Sequence, residues 1–455
     1  MDPISLGLIA LAALTVMLFS GMRIAFATAI CGFVGLWALR GYVPAASLAS
    51  MIPHGHLTSY SLLVLPLFIM MGFFAFFAGI TRDLYWAARQ WLGHLPGGLA
   101  IATVFGSAGF AAACGASTAS AAVMGKIALP ELKKFGYDDK VATGAVAAGG
   151  TMATMIPPSV LMVIYGFIAE ESIGALLLAG ILPGLMEAAS YGLMLWVRFK
   201  INPELGPPIR GITWSQRFRS LKGVWGMVVL IILVMGSIYT GLATPTESAA
   251  VGAIGAFLMA LPRLNWRSFK DTMLETAKTT GMIFAIVAGV LIFVHFLGFT
   301  GMPGTIAETI INLDISPVLV LILILLLYLF LGMFLDGIGM LLLTVPLVLP
   351  TIHHLHESTG NELFNPIVFG VLVIRMIEIG LITPPVGLNV YVLKGVAPKV
   401  KMGDIFKGCG WFVVVDLINM LVEIQVKIHL NGRKLIIKIC ETLFVNGDIW
   451  LNMMH

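Results

Sequence analysis

AAGGTMATMIPPSVLMVIYG (residues 147–166) recurs as EIGLITPPVGLNVYVLKG (residues 378–395), with Pro157-Pro158 of the first falling on Pro384-Pro385 of the second. Each copy is an apolar segment long enough to cross a bilayer, yet each is interrupted by two residues that cannot donate a backbone hydrogen bond. A helix cannot run straight through either. In hydrocarbon the freed carbonyls need partners, so broken backbone at that depth is tolerated only where it is buried in protein or lines a cavity. Carriers place their ions and substrates at such breaks.

The rest of the chain agrees with a membrane setting. Of its 455 residues 59% are hydrophobic and 11% charged, against ~25% charged in soluble domains, and the mean hydropathy is +0.98. At about 20 residues per span the chain holds about ten to twelve embedded segments and no soluble domain of useful size. The formal charge of +4 is small and its cations cluster in a few loops, which marks topology rather than a nucleic-acid surface. Cys31, Cys114, Cys409 and Cys440 have neither metal nor disulfide spacing. The N-terminus lacks a basic leader and a small-residue cleavage site, so it reads as a first membrane helix. Neither a Walker motif nor a nucleotide fingerprint is present, which argues against energy drawn from ATP by this chain. An intramembrane hydrolase would need a nucleophile–base pair or metal ligands at membrane depth, and the sequence offers no such pair.

Taken in order, residues 1–57 read as N-terminal scaffold helices, with spans at 4–22 and 24–42 and an outward loop at 43–58. Residues 58–197 read as a first repeat: a span at 58–80, a positive loop with Arg82, Arg89 and His94, a Gly/Ala/Ser-rich stretch at 96–130, a broken helix at 141–169 and a return span at 173–197. Lysines and arginines flank both ends of 96–130, whose two limbs are short, so it reads as a re-entrant hairpin with its tip at residues 114–118, entered from the cytoplasm. Residues 198–281 read as a basic linker, scaffold spans at 224–242 and 247–262 around TPTES, and a charged interfacial arm at 265–280. Residues 282–418 repeat the first pattern: a span at 282–300, a hairpin at 317–350 around Leu335, Asp336 and Gly337, and a broken helix at 366–393. The second hairpin exits through HHLHESTGNE, which has no lysine or arginine, and so should open to the outside. The same order of elements with opposite charge bias is the pattern of inverted-topology repeats in an all-α polytopic membrane protein. From about Asn419 onwards, Glu423, Lys427, Arg433, Lys434 and Lys438 make residues 419–455 an atypical tail, unlike a membrane span and readable as a frameshift product or an altered terminus.

A break presents one half-helix's unpaired N–H groups and the other's carbonyls to the same space; the carbonyls suit a sodium ion and the N–H groups a carboxylate. Hydroxyls at Thr151, Thr154, Ser159 and Thr383 add oxygen ligands at little steric cost, with Ser117 and Thr118 at the first hairpin tip, while Gly337 at the second offers a backbone carbonyl. Asn389 is the side-chain amide best placed for a substrate. The charges inside spans, costly there, are Glu187, Glu247, His295, Asp336, Arg375 and Glu378. Arg375 and Glu378 are three apart and read as an internal ion pair; Asp336 either serves the site or caps the hairpin's second limb. His353, His354, His356 and Glu357 lack metalloprotease spacing and read as a solvated loop.

The stretches CGASTASAAVMGKIALPEL (114–132), GYDDKVATGAVAAGGTMATMIPPSVLMVIYG (136–166), GLATPTESAAVGA (241–253) and EIGLITPPVGLNVYVLKGVAP (378–398) resemble the large membrane subunit of tripartite ATP-independent periplasmic (TRAP) transporters over about residues 1–418. The resemblance implies an elevator-type carrier in the bacterial inner membrane that takes up sodium with an organic acid, a carboxylate such as a C4-dicarboxylate or an acidic sugar such as sialic acid. It implies two partners, a small membrane subunit and a periplasmic solute-binding protein, no nucleic acid, and no cofactor beyond Na+ as coupling ion. It implicates Gly115, Ser117, Ala153, Ile156 and Pro158 in one sodium site and Gly337, Gly380, Thr383 and Val386 in the other, largely through carbonyls. The expected substrate contacts are Ser117, Thr151, Thr154, Pro157, Asp336, Pro384 and Asn389. Ala153 stands where the family commonly has glycine, and HHLHESTGNELFN lengthens the loop after the second hairpin. A stand-alone sodium-coupled carboxylate or ion carrier of related architecture is the alternative.

Overall fold

Prolines and glycines decide where the helices of this chain stop. In the computed structural model, which describes residues 2–312 and 315–429, α8 (Asp139–Thr151) reaches Pro157-Pro158 through a 3-10 turn at Met152–Thr154, and α9 (Val160–Ala169) restarts after extended Ser159. In the same way α17 (Pro366–Ile382) ends at extended Thr383, and α18 (Leu388–Val396) restarts after Gly387. Both Pro-Pro peptide bonds are cis.

Around these two broken helices the same order of elements occurs twice. The first series is α4 (Val64–Phe77), α5 (Ile80–Leu92), a hairpin of α6 (Gly98–Cys114) and α7 (Ser117–Lys134), the broken pair α8–α9, and α10 (Ile173–Ile201). The second is α13 (Trp266–Thr300), α14 (Met302–Asn312), a hairpin of α15 (Pro317–Gly332) and α16 (Gly337–Thr359), the broken pair α17–α18, and α19 (Met402–His429). Helices α1 (Pro3–Phe19), α2 (Ile24–Arg40) and α3 (Tyr42–Leu57) precede the first series, and α11 (Trp214–Tyr239) and α12 (Pro245–Ala260) join the two. The described residues are otherwise turns and short 3-10 segments.

Two groups of helices pack against each other. The hairpins, the broken helices, α10 and α19 form an inner group, in which α8 lies against α6, α7 and α19 and α15 lies against α17. An outer group is held by α2 on α13 and α12 on α4. Small residues let these backbones approach: a Cβ on Gly289 would stand 2.1 Å from the Ala25 carbonyl. In a membrane interior such contact, rather than expulsion of water, drives helix association. Large side chains such as Trp37, Trp225 and Leu193 face outwards, as they should where lipid is the solvent. Between α11 and α12, TPTES forms a reciprocal cap: Thr244 Oγ1 accepts from Glu247 N and the Glu247 carboxylate accepts from Thr244 N (2.8 Å).

Four sequence expectations need correction. Residues 43–58, expected as an outward loop, are mostly α3: Pro44 falls in the first turn, where proline is tolerated, and Pro53 and Gly55 fall only near the end of the run. The arm at 265–280 is not a separate interfacial helix but the start of the 35-residue α13; Gly281 alone does not end a helix, and at about 52 Å α13 outreaches the ~30 Å hydrocarbon layer. His353, His354, His356 and Glu357 lie in the last turns of α16, which runs to Thr359, not in a loop. Residues 419–429 complete α19, and Met402–Val426 is long and apolar enough to cross a membrane. Of the charges that argued against a span there, Glu423 is paired inside the protein, as shown below. Residues 430–455, the remainder of the expected tail, lie outside the described residues.

Candidate functional site

At the first break the hairpin tip meets the restart of the helix. Gly115 ends α6 in a left-handed conformation (φ 62°), and a Cβ on it would stand 2.8 Å from the Pro158 carbonyl oxygen. The Gly115 carbonyl accepts from Val160 N (3.2 Å). No other residue type fits both the backbone angle and the gap. Two residues on, Ser117 Oγ donates to Asn389 Oδ1 (2.9 Å), and Asn389 Nδ2 donates to the Ala147 carbonyl (3.3 Å). Asn389 is 0% exposed. One amide on α18 therefore ties the first hairpin to the first broken helix, across the boundary between the two repeats.

The break itself is closed over. Thr151, Ala153, Thr154, Pro157, Pro158 and Ser159 are buried. Their freed backbone groups find partners among the hydroxyls, since Ser159 Oγ donates to the Thr154 carbonyl and accepts from Met162 N (3.3 Å). Thr151 Oγ1 donates to the Ala148 carbonyl (2.6 Å), and Thr154 Oγ1 lies within hydrogen-bonding distance of both the Thr151 carbonyl (2.8 Å) and the Glu378 carboxyl. The Ile156 side chain points the other way, against Gly184 of α10.

The second break is built alike and stands more open. A Cβ on Gly380 would lie 2.6 Å from the Gly332 carbonyl carbon, and Gly387 N donates to the Met333 carbonyl (3.3 Å), so the end of α15 is seated on the break. Thr383 Oγ1 donates to Ile379 O (2.6 Å), which leaves the hydroxyl's lone pairs free. Pro384 and Pro385 are exposed, and Thr383 and Val386 are half-buried. Gly337 packs on Ile377 of α17 and Leu161 of α9, so the second hairpin tip touches both broken helices. Asp336 accepts from Gly339 N (3.0 Å) and caps α16. The structure thus brings Gly115, Ser117, Pro158 and Asn389 together, groups Gly337 and Gly380 at the other hairpin, and engages Asp336 within its own tip.

The ion pair expected between Arg375 and Glu378 is not formed. Arg375, 0% exposed, turns off the helix face it shares with Glu378 and reaches two neighbouring helices. Its Nη1 donates to Glu187 Oε2 on α10 (2.9 Å), and its Nη2 to Glu423 Oε1 on α19 (2.7 Å) and to the Pro183 carbonyl (3.0 Å). A guanidinium has five donors in a rigid fork, more than one carboxylate on its own helix can satisfy. Asp416 Oδ1 lies 3.9 Å from Arg375 Nη1, while Asp416 Oδ2 accepts from Tyr191 (2.5 Å). Ser190 donates to Asn419 Oδ1 (2.9 Å). Asp416 and Tyr191 escaped the sequence reading, and Glu423 entered it only as a charge of the tail. The signal was there in part: Asp416, Asn419 and Glu423 fall at i, i+3 and i+7 of one helix, a single polar stripe.

Comparison with known proteins agrees with this architecture. The family model described as "Tripartite ATP-independent periplasmic transporter, DctM component" matches residues 11–428. The C4-dicarboxylate TRAP transporter large permease protein DctM of Pseudomonas aeruginosa is 32% identical over 368 residues, 80% of this chain and 84% of that one. The sialic acid TRAP transporter large permease protein SiaM of Vibrio cholerae is 30% identical over 392 residues, 86% and 88% of the two chains. Among solved structures, the YdaH transporter of Alcanivorax borkumensis superposes with a TM-score of 0.60 at 14% identity, covering 86% of this chain and 90% of the other, which is a likeness of fold. Broken helices, hairpins and sequence together make the chain a large permease subunit of the tripartite ATP-independent periplasmic transporter family, DctM component, and a multi-pass protein of the bacterial inner membrane.

Proposed function

We propose that the chain carries out sodium-coupled secondary active uptake of an organic acid, a carboxylate or an acidic sugar, handed over by a periplasmic solute-binding protein and moved with the help of a small membrane subunit. Substrate uptake itself is the work of the family; the relatives are named for C4-dicarboxylate and for sialic acid, both carboxylates. The observation that carries the reading is the pair of broken helices, each seated on a hairpin and joined through buried Asn389. Opposed helix ends at such breaks offer carbonyls to a cation and N–H groups to a carboxylate. Gly115, Ser117, Ala153, Ile156 and Pro158 would hold one sodium ion as cargo, and Gly337, Gly380, Thr383 and Val386 another. Substrate would be met by Ser117, Thr151, Thr154, Pro157, Pro384 and Asn389, with Asp336 fixing the second tip. An elevator movement carries the inner group of helices past the outer group.

The test is uptake into proteoliposomes holding this chain and its small partner subunit, with an inward sodium gradient. Organic acid should accumulate only when the cognate solute-binding protein is added outside, because a docked receptor presents its ligand at high effective concentration. Sodium-driven uptake of free substrate without receptor would overturn the partner assignment, and receptor-dependent uptake indifferent to sodium would overturn the coupling.

A further inference from the structure

An aromatic cluster with unpaired cations lies where α11 meets the end of α5. Trp214 and Phe218 of α11 stack, with ring centroids 6.2 Å apart, and Trp91 of α5 stands edge-on to both, at 6.4 Å and 5.9 Å. The linker before α11 is tied down beside them, since Ile209 N donates to the Gly93 carbonyl (2.8 Å). Arg217 lies over the Trp214 ring, 4.7 Å from its centroid. Such stacking holds a guanidinium in a fixed plane. Its donors nevertheless have nothing to bind: Arg217 makes no hydrogen bond or ion pair among the described residues, and its Nε is buried without an acceptor.

The surroundings supply no free anion. Residues 205–246 contain neither aspartate nor glutamate but carry Arg210, Arg217, Arg219 and Lys222. Arg210, Arg219 and Lys222 are exposed and, like Arg217, unpaired among the described residues. The acid that approaches from α5 is Asp83, opposite Gly223, and it is engaged by Arg263 (3.4 Å). Along α11 the cations give way to an apolar stripe of exposed Leu221, Trp225, Val228 and Ile232, spaced by four and three residues and so on one face. Cations at one end and hydrocarbon-facing side chains beyond them match the order of charge and chain in a phospholipid. The same cation excess puts this end of α11 on the cytoplasmic side, where anionic headgroups attract basic segments.

We propose that the junction of α5 and α11 binds an anionic phospholipid of the cytoplasmic leaflet. Arg217, held flat on Trp214, donates to the headgroup phosphate, Lys222 adds its charge one turn further on, and an acyl chain follows the stripe from Leu221 to Ile232. A free phosphate would use the cations and not the stripe; an apolar partner helix would use the stripe and leave the guanidinium unpaired. The bound lipid braces α11 against the end of α5, which leads directly into the first hairpin at Gly98. This site goes beyond uptake and does not depend on which ion or acid is carried.

Native mass spectrometry and thermal unfolding of the full chain in detergent, alone and with its small partner subunit, test the site without transport. Phosphatidylglycerol should stay bound and raise the unfolding midpoint, while phosphatidylcholine and free glycerol phosphate should do neither. Arg217→Gln should weaken phosphatidylglycerol binding by roughly tenfold or more, the loss of a charge-assisted hydrogen bond, and abolish the rise. Arg267→Gln, which removes an exposed cation of α13 outside the cluster, should change neither. Equal binding of the two lipids, displacement of phosphatidylglycerol by glycerol phosphate, or equal losses in the two variants overturns the proposal. Loss of the lipid when the small subunit joins would assign the face to that subunit and overturns it as well. Should Arg217→Gln fail to fold, Trp214→Leu decides: it removes the ring beneath the guanidinium at an exposed position, so phosphatidylglycerol binding should weaken, and unchanged binding overturns the assignment.

Discussion

Replacing Gly380 by alanine puts one methyl group where the second hairpin rests on the second broken helix. The added Cβ would lie 2.6 Å from the carbonyl carbon of Gly332, 2.7 Å from its Cα and 3.0 Å from its oxygen. These are backbone atoms of a helix end and cannot rotate away, so α15 and α17 must separate by roughly 0.8 Å to restore ordinary contact. Overpacking of this kind costs about 1–3 kcal/mol. The reciprocal change is gentler, since a Cβ on Gly332 would meet the nearest atom, Gly380 Cα, at 3.3 Å. Gly410, inside α19 with nothing within 4 Å of its Cβ position, serves as the control; alanine there should stabilise the helix by about 0.5–1 kcal/mol. Thermal unfolding in detergent should therefore rank the proteins Gly410→Ala, wild type, Gly332→Ala, Gly380→Ala from most to least stable, and Gly380→Ala should also slow reconstituted uptake. A Gly380→Ala protein as stable as Gly410→Ala would mean that the hairpin is not seated on the break, and the geometry argued for the second cation site would fall with it.

Arg375→Met leaves Glu187 and Glu423 without their shared cation and should cost about 3–5 kcal/mol, read as a lowered midpoint in the same melts; an unchanged midpoint would show that the buried ion pairs are dispensable. Thr383→Val keeps the shape and removes an oxygen whose lone pairs are free, so the sodium concentration for half-maximal uptake should rise, and unchanged sodium dependence would restrict Thr383 to its carbonyl. Single cysteines in place of Lys134 and His354 should be labelled only from the cytoplasm and only from outside respectively; labelling of both from one face would end the inverted-repeat topology.

The breaks were legible in the sequence because proline removes a donor whatever surrounds it, and Pro157-Pro158 and Pro384-Pro385 stand in register. Hairpin positions followed from charge and length. What lay beyond reach was the choice of partner. Arg375 and Glu378 satisfy the i, i+3 rule, but Glu187 and Glu423, both distant in sequence, offer the guanidinium better-placed acceptors. The same blindness dismissed the end of α19: Asp416, Asn419 and Glu423 look wrong for hydrocarbon one at a time and are right once Tyr191, Ser190 and Arg375 face them. Asn389 was picked out as an amide at a break, and its bridge from Ser117 to Ala147 needed the fold.

The arginine cluster also constrains how the chain is made. Glu187 enters the membrane on α10 188 residues before Arg375 is synthesised, and Glu423 follows 48 residues later still. Gly144 of α8 likewise waits for Gly408 of α19, with which it makes close backbone contact. During translation the first repeat is therefore left with a buried acid unmatched and one flank uncovered, and it can close only when the last helix arrives. Truncation before Gly408, which removes nearly all of α19, should yield a nascent protein that inserts its early helices yet stays a substrate for membrane quality-control proteases, its half-life set by the missing last helix.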